Sequence, residues 1–174
     1  EATGTYDSFN PFILKGVSAA GIGLLYESLM SSSSDEAFTK YASLADSVVV
    51  PEDRSWAAFN INPKAKWHDG EPFTSADVQF TIMNVLKKVH PRGPNSFKEV
   101  SSIDTPDAHT AIFNLDNPAP YMMRAFAGYE SPIVPKHHLE GKDIKSAELA
   151  NNPVGTGPFT FNEWKKGRFN FCRY

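Results

Sequence analysis

The stretch "AKWHDGEPFTSADVQFTIMNVL", residues 65–86, joins a polar bend directly to an apolar segment. Asp69-Gly70 is a turn dipeptide. Thr74-Ser75-Ala76-Asp77 fits a capping box, in which the Thr74 hydroxyl accepts the third helical N–H and the Asp77 carboxylate reaches back to the cap. Apolar residues then recur at helical spacing. The stretch therefore predicts a tight turn followed by a capped, mostly buried helix that runs to about Val89.

The same bend holds a tryptophan, a histidine and two carboxylates, which raises the question of a catalytic or metal site. His68-Asp69 and His137-His138 are adjacent pairs, and neither has the spacing of the zinc motif H-E-x-x-H. We predict that these histidines are solvated loop residues, that Trp67 packs over a neighbouring hairpin, and that no metal is bound.

Other catalytic signatures are missing from the sequence. It contains neither the nucleophile elbow G-x-S-x-G nor the phosphate-binding loops G-x-x-x-x-G-K-[ST] and G-x-G-x-x-G. Gly155-Thr156-Gly157 is followed by a proline rather than a helix, so we interpret it as a close approach of two backbones near a crossing of strands. A hydrolase with two carboxylates distant in the chain stays open as an alternative. The main expectation is that the protein is not an enzyme.

Composition narrows the class further. The chain has 174 residues, 41% hydrophobic and 21% charged, which is ordinary for a globular protein. Its net charge of −3 gives no indication of nucleic-acid binding. Aromatic residues make up 13%, which is typical either of a lined groove or of a core rich in phenylalanine.

Two hairpins flank the central helix. Ser47–Val50 and Trp56–Ile61 read as strands around a turn at residues 51–53, and in the second of them Trp56, Ala58 and Asn60 alternate with Ala57, Phe59 and Ile61. Val100–Ile103 and Thr110–Leu115 read as strands around a turn at residues 104–107. The order of elements is α+β rather than a regular alternation of strands and helices.

The remaining segments read as short elements. We predict a helix from Val17 to Leu29, capped by Ser18 and ended by a serine loop at residues 31–34. In chain order, the sequence further predicts a helix at 121–126, a strand at 132–134, a helical turn at 136–139, a helix at 145–150, and strands at 158–163 and 168–172.

Four quoted segments carry a resemblance to a known family. They are "YDSFNPFILKGVSAAGIGLLYESLM", "LADSVVVPEDRSWAAFNINPKAKWHDG", "AKWHDGEPFTSADVQFTI" and "NPVGTGPFTFNEWKKGR". In this order they resemble the family 5 extracellular solute-binding proteins, the oligopeptide, dipeptide and nickel receptors of ABC importers. The opening "TYDSFNPFILKG" is most similar to the branch for oligopeptides and the peptide antibiotic microcin C.

The resemblance implies a fold and a function. It implies lobe one of a two-lobed, class II periplasmic-binding-protein-like fold, an α+β structure with a mixed sheet and an inserted hairpin-helix subdomain. Residues 1–30 would begin lobe one, 31–150 would form the inserted subdomain, and 151–174 would be the return strands. Family members are roughly three times longer, so we expect a fragment without the second lobe, which on its own binds ligand weakly or not at all.

The resemblance also implies partners and a site. The partners are a peptide-like ligand and a membrane permease, in the periplasm or outside the cell, with no cofactor. The candidate ligand-binding residues are Phe12, Lys15, Gly16, Val17, Tyr129 and Glu130. A surface Lys15, a buried Phe12 and a solvated Glu130 are the simpler alternatives. The cleft face of an isolated lobe would be exposed, which predicts self-association.

Two other functions stay open. One is a self-standing interaction domain that reuses the lobe-one fold. The other is a receptor for a different solute, such as a nickel chelate, an opine or a sugar.

Overall fold

The structure is a computed structural model that describes residues 8–12, 21–33, 35–36, 39–126, 130–144 and 150–164, and the backbone of 171–173. The strands are β1 Met30–Ser32, β2 Lys40–Ala42, β3 Ala45–Val49, β4 Trp56–Ile61, β5 Val100–Asp107, β6 Thr110–Leu115, β7 Thr160–Glu163 and β8 Phe171–Arg173. The α-helices are α1 Ser75–Phe80, α2 Gly93–Ser96 and α3 Lys136–Leu139. Ile22–Leu24 and Pro120–Ala125 are 3₁₀-helices, and Thr81–Leu86 is a π-helix.

A sheet with strand order β3-β4-β6-β5 forms the centre of the described structure. Each of its pairings is antiparallel, and both predicted hairpins are present. In β4, Ala57, Phe59 and Ile61 are buried while Asn60 is exposed. This alternation is the one that the sequence predicts, because successive strand residues point to opposite faces. The α+β class is confirmed.

Phenylalanines fill the core on one face of this sheet. The Phe126 ring lies 4.7 Å from Phe59, 5.2 Å from Phe113 and 5.4 Å from Phe97, measured between ring centroids. All four side chains are at most 1% exposed. These tilted and edge-on contacts are the arrangements that aromatic quadrupoles favour. Much of the aromatic content of the chain is therefore core.

The central helix begins as predicted and then widens. Thr74 and Asp77 form the capping box, and the Asp77 carboxylate accepts the Thr74 N–H at 2.9 Å. The helix continues as the π-helix, where the Lys87 N–H donates to the Ile82 carbonyl five residues back. Inside it, the buried Thr81 hydroxyl accepts the Val134 N–H at 3.1 Å. The wider turns of the π-helix therefore coincide with a side chain, that of Thr81, which is hydrogen-bonded to another segment of the chain.

The predicted helix over residues 17–29 is wrong within its described part. Only Ile22–Leu24 is helical there, after Gly21 at φ 81°. The carbonyls of Leu24 and Leu25 accept N–H groups from Phe159 and Gly157 instead of continuing a helix. Tertiary partners therefore override the helical spacing of the apolar residues.

Two further local predictions need correction. The serine run is not a loop from its start, because Met30–Ser32 pairs with Lys40–Ala42. The second hairpin turns at residues 108–109 rather than 104–107, since β5 bulges and continues to Asp107. Pro106 is tolerated within β5 because β5 is an edge strand.

The predicted strand at 132–134 is extended but joins no ladder. The Ile133 N–H donates to the Glu27 carbonyl and the Val134 N–H to the Thr81 hydroxyl, so side-chain and loop partners replace a neighbouring strand. The helical turn Lys136–Leu139 is confirmed, the helix near residue 121 is a 3₁₀-helix, and β7 and β8 form the last antiparallel pair.

Some expectations stay untested. Most of the predicted helix at 145–150 lies outside the described residues. The division into 1–30, 31–150 and 151–174 stays a prediction. In the described part of the chain, no helix combines the length and apolar character that crossing a membrane requires.

Candidate functional site

His68 ties the polar bend to the segment with two glycines. The Gly155 N–H donates to its Nδ1 at 3.2 Å, and its Nε2 lies 2.8 Å from the Gly157 carbonyl oxygen. A backbone N–H can only donate, so Nδ1 accepts and Nε2 carries the proton. The His68 N–H also donates to the Gly155 carbonyl at 2.9 Å. His68 is therefore a structural tether, and its prediction as a solvated loop residue is wrong.

The two glycines are needed because a third backbone lies against them. The Gly157 N–H donates to the Leu25 carbonyl at 2.9 Å. A Cβ on Gly155 would come closer than 3.0 Å to the Leu25 carbonyl oxygen, and a Cβ on Gly157 would come closer than 3.0 Å to the Leu24 carbonyl oxygen. The interpretation of this motif as a close approach of backbones is confirmed.

Asp77 joins the bend to the helical turn α3. Besides Thr74, its carboxylate accepts the Lys136 N–H at 2.9 Å and faces the Trp67 indole N–H at 3.4 Å. Trp67 is 2% exposed and stacks at a tilt on Phe73. One buried carboxylate thus fixes the bend, the start of α1 and the start of α3.

This junction brings Asp69 together with His137 and His138. The Asp69 Oδ2 atom accepts hydrogen bonds from the Nε2 atoms of His137 and His138, at 2.9 and 2.8 Å. The three side chains are about one-third exposed. The prediction of separately solvated histidines is therefore wrong for this pair as well. Sequence reasoning missed the cluster because its members come from segments far apart in the chain.

The cluster shifts the acidity of its carboxyl group. Partial burial raises the pKa of Asp69, but hydrogen bonds from His137, His138 and the Glu71 backbone outweigh it and bring the pKa down to about 2. The carboxylate is therefore ionised throughout the physiological range.

A second cluster, made of Phe12, His90, Arg92 and Glu130, contains the two described members of the predicted ligand site. Phe12 is 3% exposed and meets the His90 ring edge-on, with centroids 6.1 Å apart. His90 Nδ1 accepts the Gly93 N–H at 3.0 Å. Beside it, the Arg92 guanidinium pairs with Glu130 at 2.7 Å. Phe12 and Glu130 thus lie at one corner, linked by His90 and Arg92.

The environment lowers the pKa of His90. Burial is the main cause, and the positive charge of Arg92 adds to it, while the negative charge of Glu130 opposes both. The neutral ring is the form that accepts from the Gly93 N–H.

The predicted site residues are only partly placed. Lys15, Gly16, Val17 and Tyr129 lie outside the described residues. Phe12 is in the core, and Glu130 is half-exposed and ion-paired. Their role in ligand binding stays a prediction. Sequence reasoning missed His90 and Arg92, which lie just beyond the predicted end of the central helix.

Comparisons with known proteins assign this chain to a protein family. Residues 40–170 match the sequence profile of the bacterial extracellular solute-binding proteins, family 5. The chain is 36% identical to the peptidoglycan-binding protein YepA of Agrobacterium fabrum over 172 residues, which are 94% of this chain and 28% of that protein.

Solved structures of two solute-binding proteins share the fold of this chain. The oligopeptide-binding protein AppA of Bacillus subtilis, in complex with a nonapeptide, has a TM-score of 0.76 at 26% identity, over 94% of this chain and 33% of that one. NikZ of Campylobacter jejuni, in complex with Ni(L-His), has a TM-score of 0.77 at 25% identity, over 95% and 33%. The chain thus spans about a third of the length of these structures. It belongs to the bacterial extracellular solute-binding proteins of family 5.

Proposed function

We propose that the chain is part of the substrate-binding component of an ABC importer for oligopeptides or dipeptides. The observation that carries the proposal is the fold shared with a nonapeptide complex across 94% of the chain. In this function the chain acts in the periplasm or outside the cell, passes its ligand to a membrane permease, and needs no cofactor or catalytic residue.

The proposed ligand contacts are Phe12, Lys15, Gly16, Val17, Tyr129 and Glu130. Extended peptides are commonly held through main-chain hydrogen bonds, with tolerant pockets for side chains. Glu130 adds a negative charge at a half-exposed position, and its partner Arg92 is two-thirds exposed. A cationic group of the ligand competes with Arg92 for this carboxylate.

The experiment is a binding titration on a version of the chain extended to the length of its relatives. Calorimetry with short peptides measures affinity, and native mass spectrometry weighs any ligand retained from purification. We expect peptide binding by the extended version and weak or absent binding by the 174-residue chain. An extended version that binds no peptide overturns the proposal.

The role of Glu130 is tested separately. Glu130→Gln should weaken binding of lysine-containing peptides by about three- to tenfold, which corresponds to roughly 1 kcal/mol, and neutral peptides less. Glu52→Gln, in an exposed turn, is the matched control. Equal affinities for Glu130→Gln and wild type would remove Glu130 from the contact set.

A second solute class is favoured by a specific observation. The similarity to the Ni(L-His) complex is as strong as that to the peptide complex. The titration therefore includes a nickel–histidine chelate, an opine and a sugar. Binding of one of these without peptide binding would keep the receptor function and change its substrate.

A further inference from the structure

The cluster of Asp69, His137 and His138 is unused by the proposed function. Its ligand atoms, one carboxylate oxygen and two imidazole nitrogens, all lie within 4.8 Å of one another. Around a zinc ion bonded at about 2.1 Å, tetrahedral ligand atoms lie about 3.4 Å apart. The observed oxygen–nitrogen distances of 2.8 and 2.9 Å are about 0.5 Å shorter than this separation, so the Asp69 oxygen lies close to the position that a shared ion requires.

We propose that Asp69, His137 and His138 form a binding site for a divalent transition-metal ion, with Zn²⁺ as the probe. Two imidazoles and one carboxylate are a donor set that suits zinc, copper or nickel rather than magnesium or calcium, which prefer oxygen ligands. Three protein ligands leave a coordination position for water or an outside group.

The supporting contacts hold the ligands in place. The second carboxylate oxygen of Asp69 accepts the Glu71 N–H at 3.2 Å, which leaves Oδ2 directed at the histidines. The α3 turn that carries both histidines starts at the Lys136 N–H bond to Asp77. The His137 ring meets the buried Trp67 ring edge-on, with centroids 6.3 Å apart. Such outer contacts orient metal ligands.

Charge and access also fit the site. A carboxylate supplies negative charge to the ion, and a histidine can bind it through Nε2 when the ring proton sits on Nδ1. The partial exposure of all three side chains gives the ion a path from solvent.

The test is calorimetric titration of the 174-residue chain with ZnCl₂. We expect saturable binding of one zinc per chain, unaffected by excess Mg²⁺. Asp69→Asn and His138→Ala should each weaken it by more than about tenfold. His109→Ala, in the exposed turn after β5, should leave it unchanged. Absence of saturable binding, or equal affinity in the site variants, would overturn the proposal.

A measurement on the unaltered chain guards against variants that fold poorly. The imidazole NMR signals of His137 and His138 should shift on zinc addition, while those of His90 and His109 stay in place. Shifts confined to the other histidines would contradict the site. Peptide binding plays no part in either readout, so this proposal and the proposed function fail independently.

Discussion

At the scale of single residues, buried and partly buried polar side chains in this structure act mainly as tethers between segments. Asp77 accepts hydrogen bonds from Thr74 and Lys136, and His68 joins the bend to Gly155 and Gly157. Each such group would cost free energy if it were buried without its partners. The polar residues that look catalytic in the sequence therefore have structural partners in the fold.

His90 makes this tethering dependent on pH. Its pKa lies below the ordinary 6.5 because the ring is buried beside Arg92, with Glu130 opposing. As the pH falls below 6.5, the unfolded chain takes up the proton first, so the stability from neutral His90 is present above that pH and is lost as acid is added. We expect the free energy of unfolding, measured with urea, to fall between pH 7 and 5.

His90→Asn isolates this contribution. Its amide oxygen can accept the Gly93 N–H in place of Nδ1, but it does not titrate. The decline with acid should be shallower in this variant, and His109→Asn should keep the slope of the wild type. Identical slopes in the wild type and His90→Asn would show that His90 does not contribute to the pH dependence.

At the scale of elements, the sequence patterns correctly predict the features that depend on residues close together in the chain. The alternation in β4 and the capping box at Thr74 depend on neighbours in sequence, and both are confirmed. The segment at 22–29 is bonded instead to Gly157 and Phe159, and the segment at 132–134 to Thr81. A pattern read from a short stretch of sequence does not include these distant partners.

The candidate sites also depend on contacts between segments that are far apart in the chain. The family resemblance predicts Phe12 and Glu130 as ligand contacts, and this stays a prediction. His90 and Arg92, which link them in the structure, carry no local signal in the sequence. Asp69 meets His138 where the Asp77 bond to Lys136 docks α3 against the bend. Adjacent histidines looked unsuited to a metal because sequence spacing does not show a third ligand from another segment.

The crossing of backbones at Gly155 can be tested by adding one methyl group. Gly155→Ala would drive its Cβ into the Leu25 carbonyl, and overpacking of this kind costs about 3 kcal/mol of unfolding free energy. Gly141→Ala is the control, since no atom lies within 4 Å of its added Cβ and only the positive φ of 77° is penalised, at about 1–2 kcal/mol. Urea unfolding that shows a smaller loss for Gly155→Ala than for Gly141→Ala would contradict the close approach.

At the scale of the whole molecule, exposed surface decides whether the chain stays monomeric. The resemblance predicts self-association through a cleft face. Among the described residues, β3 offers a second route, because it is an edge of the central sheet and ends in exposed valines. Unpaired edge strands with apolar side chains are templates for pairing with another chain.

We therefore expect the 174-residue chain to self-associate as its concentration rises, measured by light scattering. Val49 and Val50 are 51% and 45% exposed at the end of β3, so Val49→Lys should shift the chain toward monomer by adding a charge and removing apolar surface. Ser102→Lys adds the same charge on β5, the opposite edge, without removing apolar surface, and should have a smaller effect. Equal effects of the two lysines would attribute the shift to net charge alone. Association unchanged by Val49→Lys would exclude the β3 edge and leave the cleft face as the contact, whereas a monomer at every concentration would contradict both routes.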